Sequence, residues 1–274
     1  MFSSRTARTL ALATALGVAV PAAGASAATL TGVDTSNRLL TFSSSSPKKI
    51  AKTTAISGLT AGDRIVGLDR RPANSSLYAI GSSSTIYRVD ITTGKATVVG
   101  SGPLATKLFG TGFGWDFNPT VDRIRLTSNF TQNLRLHPDT GAVAATDKSL
   151  NYATGDANAG KVATVVGSAY TNNVMGATTT QLLNIDSTTD SLVLQDPPND
   201  GGLKTIGTLG AGDVTNPVAF DISAAGEAFA TLKVKRRVGT LLYRVNVTTG
   251  KATKIGRIGA TGAPRTLVGL TVIG

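Results

Sequence analysis

A short pattern recurs along this chain about every fifty residues, and it limits the possible folds more than any other feature. Gly67-Leu68-Asp69, Gly114-Trp115-Asp116, Gly167-Ser168-Ala169, Ala219-Phe220-Asp221 and Gly269-Leu270-Thr271 each read as a short apolar strand. Counted between third residues, they lie 47, 53, 52 and 50 apart. Between them, four segments alternate apolar and polar residues and run into a turn. They begin Ile86-Tyr87-Arg88-Val89-Asp90, Leu134-Arg135-Leu136-His137, Leu183-Asn184-Ile185-Asp186 and Tyr243-Arg244-Val245-Asn246. The turns close on Gly94, Gly141, Asp190 and Gly250, residues that tolerate positive φ, so each segment predicts a strand entering a hairpin.

Five first strands are followed by only four complete repeats. The missing strands lie at the other end of the chain: 29–34 reads as a second strand, 38–42 and 49–51 as a third and a fourth. A ring explains this arithmetic, because a propeller protects its sheet edges by radial repetition and can share one blade between the two termini. The sequence therefore predicts an all-β, five-bladed β-propeller of four-stranded antiparallel blades, closed by pairing the C-terminal strand with the N-terminal ones. A two-sheet sandwich is the runner-up; an open solenoid would need capping repeats. Composition agrees, since Glu227 is the sole glutamate and Thr, Ser, Gly and Val, which favour strands and turns, are abundant. The stretches 152–161 and 195–207 read as irregular insertions, where such a frame would place function.

The first 27 residues have the parts of a signal peptide: Arg5 and Arg8, an apolar run over 10–20, Pro21, and the small residues Ala25 and Ala27. The expected organisation is a leader over 1–27 and one domain over 28–274, secreted or extracytoplasmic, monomeric, and without a transmembrane segment in the mature chain. Without cysteine there are no disulfides, thiolate metal sites or cysteine-linked lipids. Removing the leader takes two arginines and no acid, so +9 of the formal +11 remains, a balance that favours an anionic polymer as partner. Export and few aromatics argue against nucleic acid. The run 233–237, Lys-Val-Lys-Arg-Arg, reads as a solvated hairpin tip.

Residues 114–143 (GWDFNPTVDRIRLTSNFTQNLRLHPDTGAV) resemble the signature of a bacterial family catalogued as domain of unknown function 4394, and 155–160 and 169–173 are similar to it too. The resemblance implies an exported, propeller-like domain and no particular substrate. His137 stands where the family pattern has Asn.

His137 is the sole histidine, which argues against a serine or cysteine triad; it occupies the turn position of Asp90, Asp186 and Asn246 and reads as a turn former. Ser46-Pro47-Lys48-Lys49 has a serine–lysine spacing but no partner motifs. Asp156 and Asn158 are spaced as in a calcium loop that lacks its closing acid, which favours a plain turn. Trp115 reads as core between blades. Asp69, Asp116 and Asp221 end three first strands and would ring one mouth of a central channel; they are the candidate binding residues. Such carboxylates could hold a cation or serve as an acid–base pair, yet their recurrence and turn-forming neighbours favour bonds to local backbone amides. The reading is a non-catalytic binding or scaffold domain, with no cofactor and no metal assigned. The alternative is a glycan hydrolase using the channel-mouth carboxylates.

Overall fold

The computed structural model describes residues 27–273, so the expected leader, apart from its last residue, lies outside the described residues. The first strands are β1 (Thr29–Asp34), β2 (Arg38–Ser43) and β3 (Ile50–Ala55), each reversing on the one before. The next sheet is β4 (Ile65–Arg70), β5 (Leu77–Gly81), β6 (Ile86–Val89) and β7 (Ala96–Val98). It is followed by β8 (Phe113–Asn118), β9 (Arg123–Ser128), β10 (Asn133–Leu136) and β11 (Val143–Thr146). A two-residue strand, β12 (Asn151–Tyr152), precedes β13 (Val165–Tyr170), β14 (Leu182–Asp186), β15 (Ser191–Gln195) and β16 (Gly202–Thr208). The last blade is β17 (Val214–Ile222), β18 (Ala228–Val234), β19 (Leu241–Val245) and β20 (Ala252–Arg257).

The final strand, β21 (Leu267–Val272), leaves this run and pairs with β1 in the register Leu30–Val272, Thr31–Thr271 and Gly32–Leu270. The chain is thus a five-bladed propeller in which β21-β1-β2-β3 is the first blade and both ends of the chain share it. Blades two to five follow in chain order. The ring is closed by main-chain hydrogen bonds between its two ends, and β1 is paired on both of its edges. Among the described residues no helix is long and apolar enough to cross a membrane.

Three details differ from the sequence reading. The Leu183 segment is a second strand, whereas the Ile86, Leu134 and Tyr243 segments are third strands; the third strand of blade four is β15. The motif reports a hairpin exit, whichever strand leads into it. The Asp90 Oδ1 accepts from the Thr92 and Thr93 amides (2.8 and 2.7 Å). Asp186 Oδ1 does the same for Thr188 and Thr189, and Asn246 Oδ1 for Thr248 and Thr249. His137 Nδ1 accepts from the Asp139 amide at 3.2 Å, the same job done with a ring nitrogen. The second difference is that the latter part of 195–207, from Gly202 on, is the fourth strand β16. The third is that β12 adds to β16 in parallel, so blade four has five strands.

The apolar faces pack between blades. Separate clusters join blades one and two around Leu68 and Tyr87, two and three around Trp115 and Leu126, four and five around Phe220 and Leu192, and five and one around Phe42 and Phe229. The inner strands approach so closely that a Cβ on Gly67 would lie 2.7 Å from the Trp115 Cβ, which fixes glycine there.

Candidate functional site at the propeller axis

The inner strand of each blade, β21, β4, β8, β13 or β17, has one edge facing the axis, and its amides need partners. The five equivalent positions near their ends carry Thr271, Asp69, Asp116, Ala169 and Asp221. Each aspartate bonds the amide one residue beyond the equivalent position of the next blade. Asp69 Oδ2 accepts from Phe117 N (3.0 Å), Asp116 Oδ2 from Tyr170 N (2.8 Å), and Asp221 Oδ2 from Val272 N (2.6 Å). Ala169 cannot continue the relay, and the Ile222 amide instead bonds the Asp221 Oδ1 at 2.6 Å. Thr271 donates its hydroxyl to Asp69 Oδ1 at 3.1 Å. The three carboxylates therefore stitch neighbouring blades together around the axis. Most of the partners are amides of the following blade; the local bond that the sequence suggested is made at Asp221, by the Ile222 amide.

These side chains do not line an open channel. Each is only 1% exposed, and each offers a carboxylate oxygen within 4.8 Å of the other two. No lysine, arginine or histidine pairs with them among the described residues. Burial pushes the pKa of Asp69 well above the ordinary carboxylate range, with the Asp221 charge adding to it. Burial does the same to Asp116, helped by Asp69 and Asp221, and Asp221 is pushed up to about 6 against its two amide bonds. Asp116 Oδ1 accepts from no N–H or hydroxyl donor, and the side chain within hydrogen-bond reach of Asp116 is the Asp69 carboxyl. On one side the axis narrows to about 10 Å³ between Gly67, Trp115, Gly167 and Gly269.

On the other side, the residues that leave the inner strands enclose a cavity of about 340 Å³. Arg70, Ser75, Asn173, Ser223 and Glu227 supply its polar wall, and Pro72, Ala224, Val272 and Ile273 much of the apolar remainder. Glu227 is neutralised by Arg244 at 2.7 Å, and Arg71 by Asp122 and by Asp139. Arg70 makes no ion pair among the described residues; its Nε donates to Ser75 O at 3.3 Å. The wall thus presents one guanidinium without a counter-charge. The sequence reading singled out the aspartates and missed this cavity. The available signal was that Arg70, Ser223 and Val272 lie one or two residues beyond Asp69, Asp221 and Thr271 in the repeat register.

The long family-like motif has a different role. Blades three and four meet through polar side chains: Thr127 to Ser168 (2.8 Å), Ser168 to Asn184 (2.6 Å), Asn184 to Gln195 (2.8 Å), and Gln195 to Asn133 (3.3 Å). Arg125, 2% exposed, closes the seam with bonds to Asn133, Asp147, Asn199 and the Tyr170 hydroxyl. Arg135 holds Asp147 from the other side. Arg125, Thr127, Asn133 and Arg135 all lie within 114–143, so much of that motif encodes an interface between blades. Asp156 is likewise consumed by structure, accepting from the Asn158 and Thr205 amides (2.8 and 2.6 Å). The run 233–237 caps the exposed β18–β19 hairpin, with Lys235 paired to Asp213.

Comparison with known proteins bears on the fold. The chain is similar to a structural genomics protein of unknown function from Bacteroides thetaiotaomicron at TM-score 0.52 and 13% identity, covering 89% of this chain and 62% of that one. It also resembles the Myxococcus xanthus glutaminyl cyclase (TM-score 0.47, 14% identity, 76% and 83% covered) and a chain of a nidogen–laminin complex (0.48, 13%, 89% and 97%). A search of curated proteins finds no match. The model of the family described as a domain of unknown function, DUF4394, matches residues 38–271, and the chain belongs to that family.

Proposed function

We propose that this propeller is an exported, non-catalytic binding domain that takes an anionic group of an extracellular polymer in the cavity at the end of the inner strands. The observation that carries the reading is the position of Arg70, the uncompensated cation of a 340 Å³ cavity that also offers Ser75, Asn173 and Ser223 as hydrogen-bonding groups. A concave site with a few convergent polar groups is the usual form of a binding site. The positive balance of the chain would raise the local concentration of a polyanion and make binding salt-dependent.

The hydrolase alternative is supported by the meeting of three carboxylates with raised pKa values. Against it, glycoside hydrolysis needs the glycosidic oxygen, and a water or the anomeric carbon, between two carboxyl groups. At 1% exposure, Asp69, Asp116 and Asp221 leave no room for a sugar. Calorimetry at low salt against a polyanionic glycan, a poly(glycerol phosphate) and a neutral glycan tests the reading. Binding of the first two and not the third is expected, with at least tenfold weakening in Arg70→Ala. Equal affinity for the neutral glycan, or an unaffected Arg70→Ala, would overturn it. Turnover of a glycan by the parent that is lost in Asp116→Asn would install the hydrolase in its place.

A further inference from the structure

The amide relay explains one oxygen of Asp116 and leaves the other unused. A serine or an asparagine could accept the Tyr170 amide without burying a charge, yet three aspartates converge here, beyond the reach of any basic side chain among the described residues. A buried acceptor with no partner costs free energy comparable to a lost hydrogen bond, so such an atom calls for an explanation. Asp116 Oδ1 is that atom, in a side chain 1% exposed.

We propose that Asp69, Asp116 and Asp221 together bind a calcium-sized divalent cation on the propeller axis. Three features specify the ligand. The donors are all hard carboxylate oxygens, which select calcium or magnesium over softer metals. Three oxygens, each within 4.8 Å of the others, can surround one cation: at calcium bond lengths of about 2.3–2.6 Å three evenly spread ligands lie about 4.0–4.5 Å apart, whereas magnesium, at about 2.0–2.1 Å, needs them at about 3.5 Å. An oxygen that accepts an amide keeps a second lone pair for a metal, so the relay and the cation are compatible. Three carboxylates fill only part of a coordination sphere of six to eight. The mouth-side cavity begins at Arg70 and Val272, each one residue beyond this ring, and supplies the route for the ion and its remaining waters. A cation there would tie blades two, three and five to one point. The proposal does not rest on polymer binding.

The experiment uses the mature chain. Metal content is measured after purification without chelator, and melting temperature is then followed in EDTA and on adding CaCl₂ alone. Bound calcium near one per chain and a rise of about 5–10 °C at saturating CaCl₂ are expected. MgCl₂ should act more weakly. Asp116→Asn, which keeps the acceptor for Tyr170, should fold and lose the rise. Asp156→Asn, at the other calcium-like spacing, should retain it. A parent with no bound metal and no shift in calcium would overturn the proposal, as would a full shift in Asp116→Asn.

Discussion

Two groups of buried polar side chains, one on the axis and one in the seam between blades three and four, solve the same problem in opposite ways. In the seam between blades three and four, the Asp147 side chain is 6% exposed and is held by Arg125 (2.6 Å) and Arg135 (2.8 Å). Burial acts to raise its pKa, but the hydrogen bonds from Arg135 and Arg125 outweigh it and keep the carboxyl below its ordinary range. On the axis, Asp116 is buried at least as deeply, with two carboxylates for neighbours and the single Tyr170 amide as compensation, and its pKa is driven up. The difference teaches that burial alone decides neither the charge nor the role of a carboxylate. The chain supplies its own counter-charge in the seam, whereas on the axis a proton or a bound cation must provide it.

The largest expected effect lies in the seam. Arg125→Leu leaves Asp147 half paired and removes a donor from Asn133, Asn199 and Tyr170, so chemical denaturation should show a loss of about 3–5 kcal/mol. A loss below about 1 kcal/mol would mean that Arg125 does not hold the seam. A smaller effect is expected from Asp69→Ala, which orphans the Phe117 amide and should cost about 1–3 kcal/mol, while Asp69→Asn, keeping one acceptor, should cost less. If Asn were as costly as Ala, the amide relay would not be what Asp69 contributes. The smallest effect belongs to Asp116→Asn at acid pH, where a raised carboxyl pKa leaves little charge for the substitution to remove and stability should change by less than about 0.5 kcal/mol.

The axis was legible in the sequence only in part. The repeat register put Asp69, Asp116 and Asp221 at equivalent strand ends, and the count of first strands required β21 to pair with β1, because both depend on local pattern and on chain order. The partners of those aspartates could not be read, since Phe117, Tyr170 and Val272 lie in the following blade and nothing local marks an amide that faces the axis. For the same reason the seam was hidden. Thr127, Ser168, Asn184 and Gln195 look like ordinary polar strand residues until blades three and four are brought together. Leu183–Asp186 was aligned with the wrong strand because its exit turn uses the same side-chain-to-amide bonds as the Asp90 and Asn246 turns. A hairpin signature carries no information about position within a blade.

The two regions also respond to pH with opposite sign. For Asp147, whose folded pKa is depressed, the stabilisation is present above the unfolded value and lost as pH falls through the folded one. For Asp221, raised to about 6, and for Asp69 and Asp116, also raised, the folded state holds protons more tightly. Their contribution is complete below the unfolded value near 3.8 and is lost as pH rises through the folded pKa. The most direct measurement is the melting temperature of chelator-stripped protein from pH 5 to pH 8, for the parent and for Asp116→Asn. A buried cluster of like charges predicts that the parent loses stability across this range and that Asp116→Asn loses less, equalling or exceeding the parent at pH 8. A parent curve that is level or rising, with Asp116→Asn parallel and below it, would contradict the account.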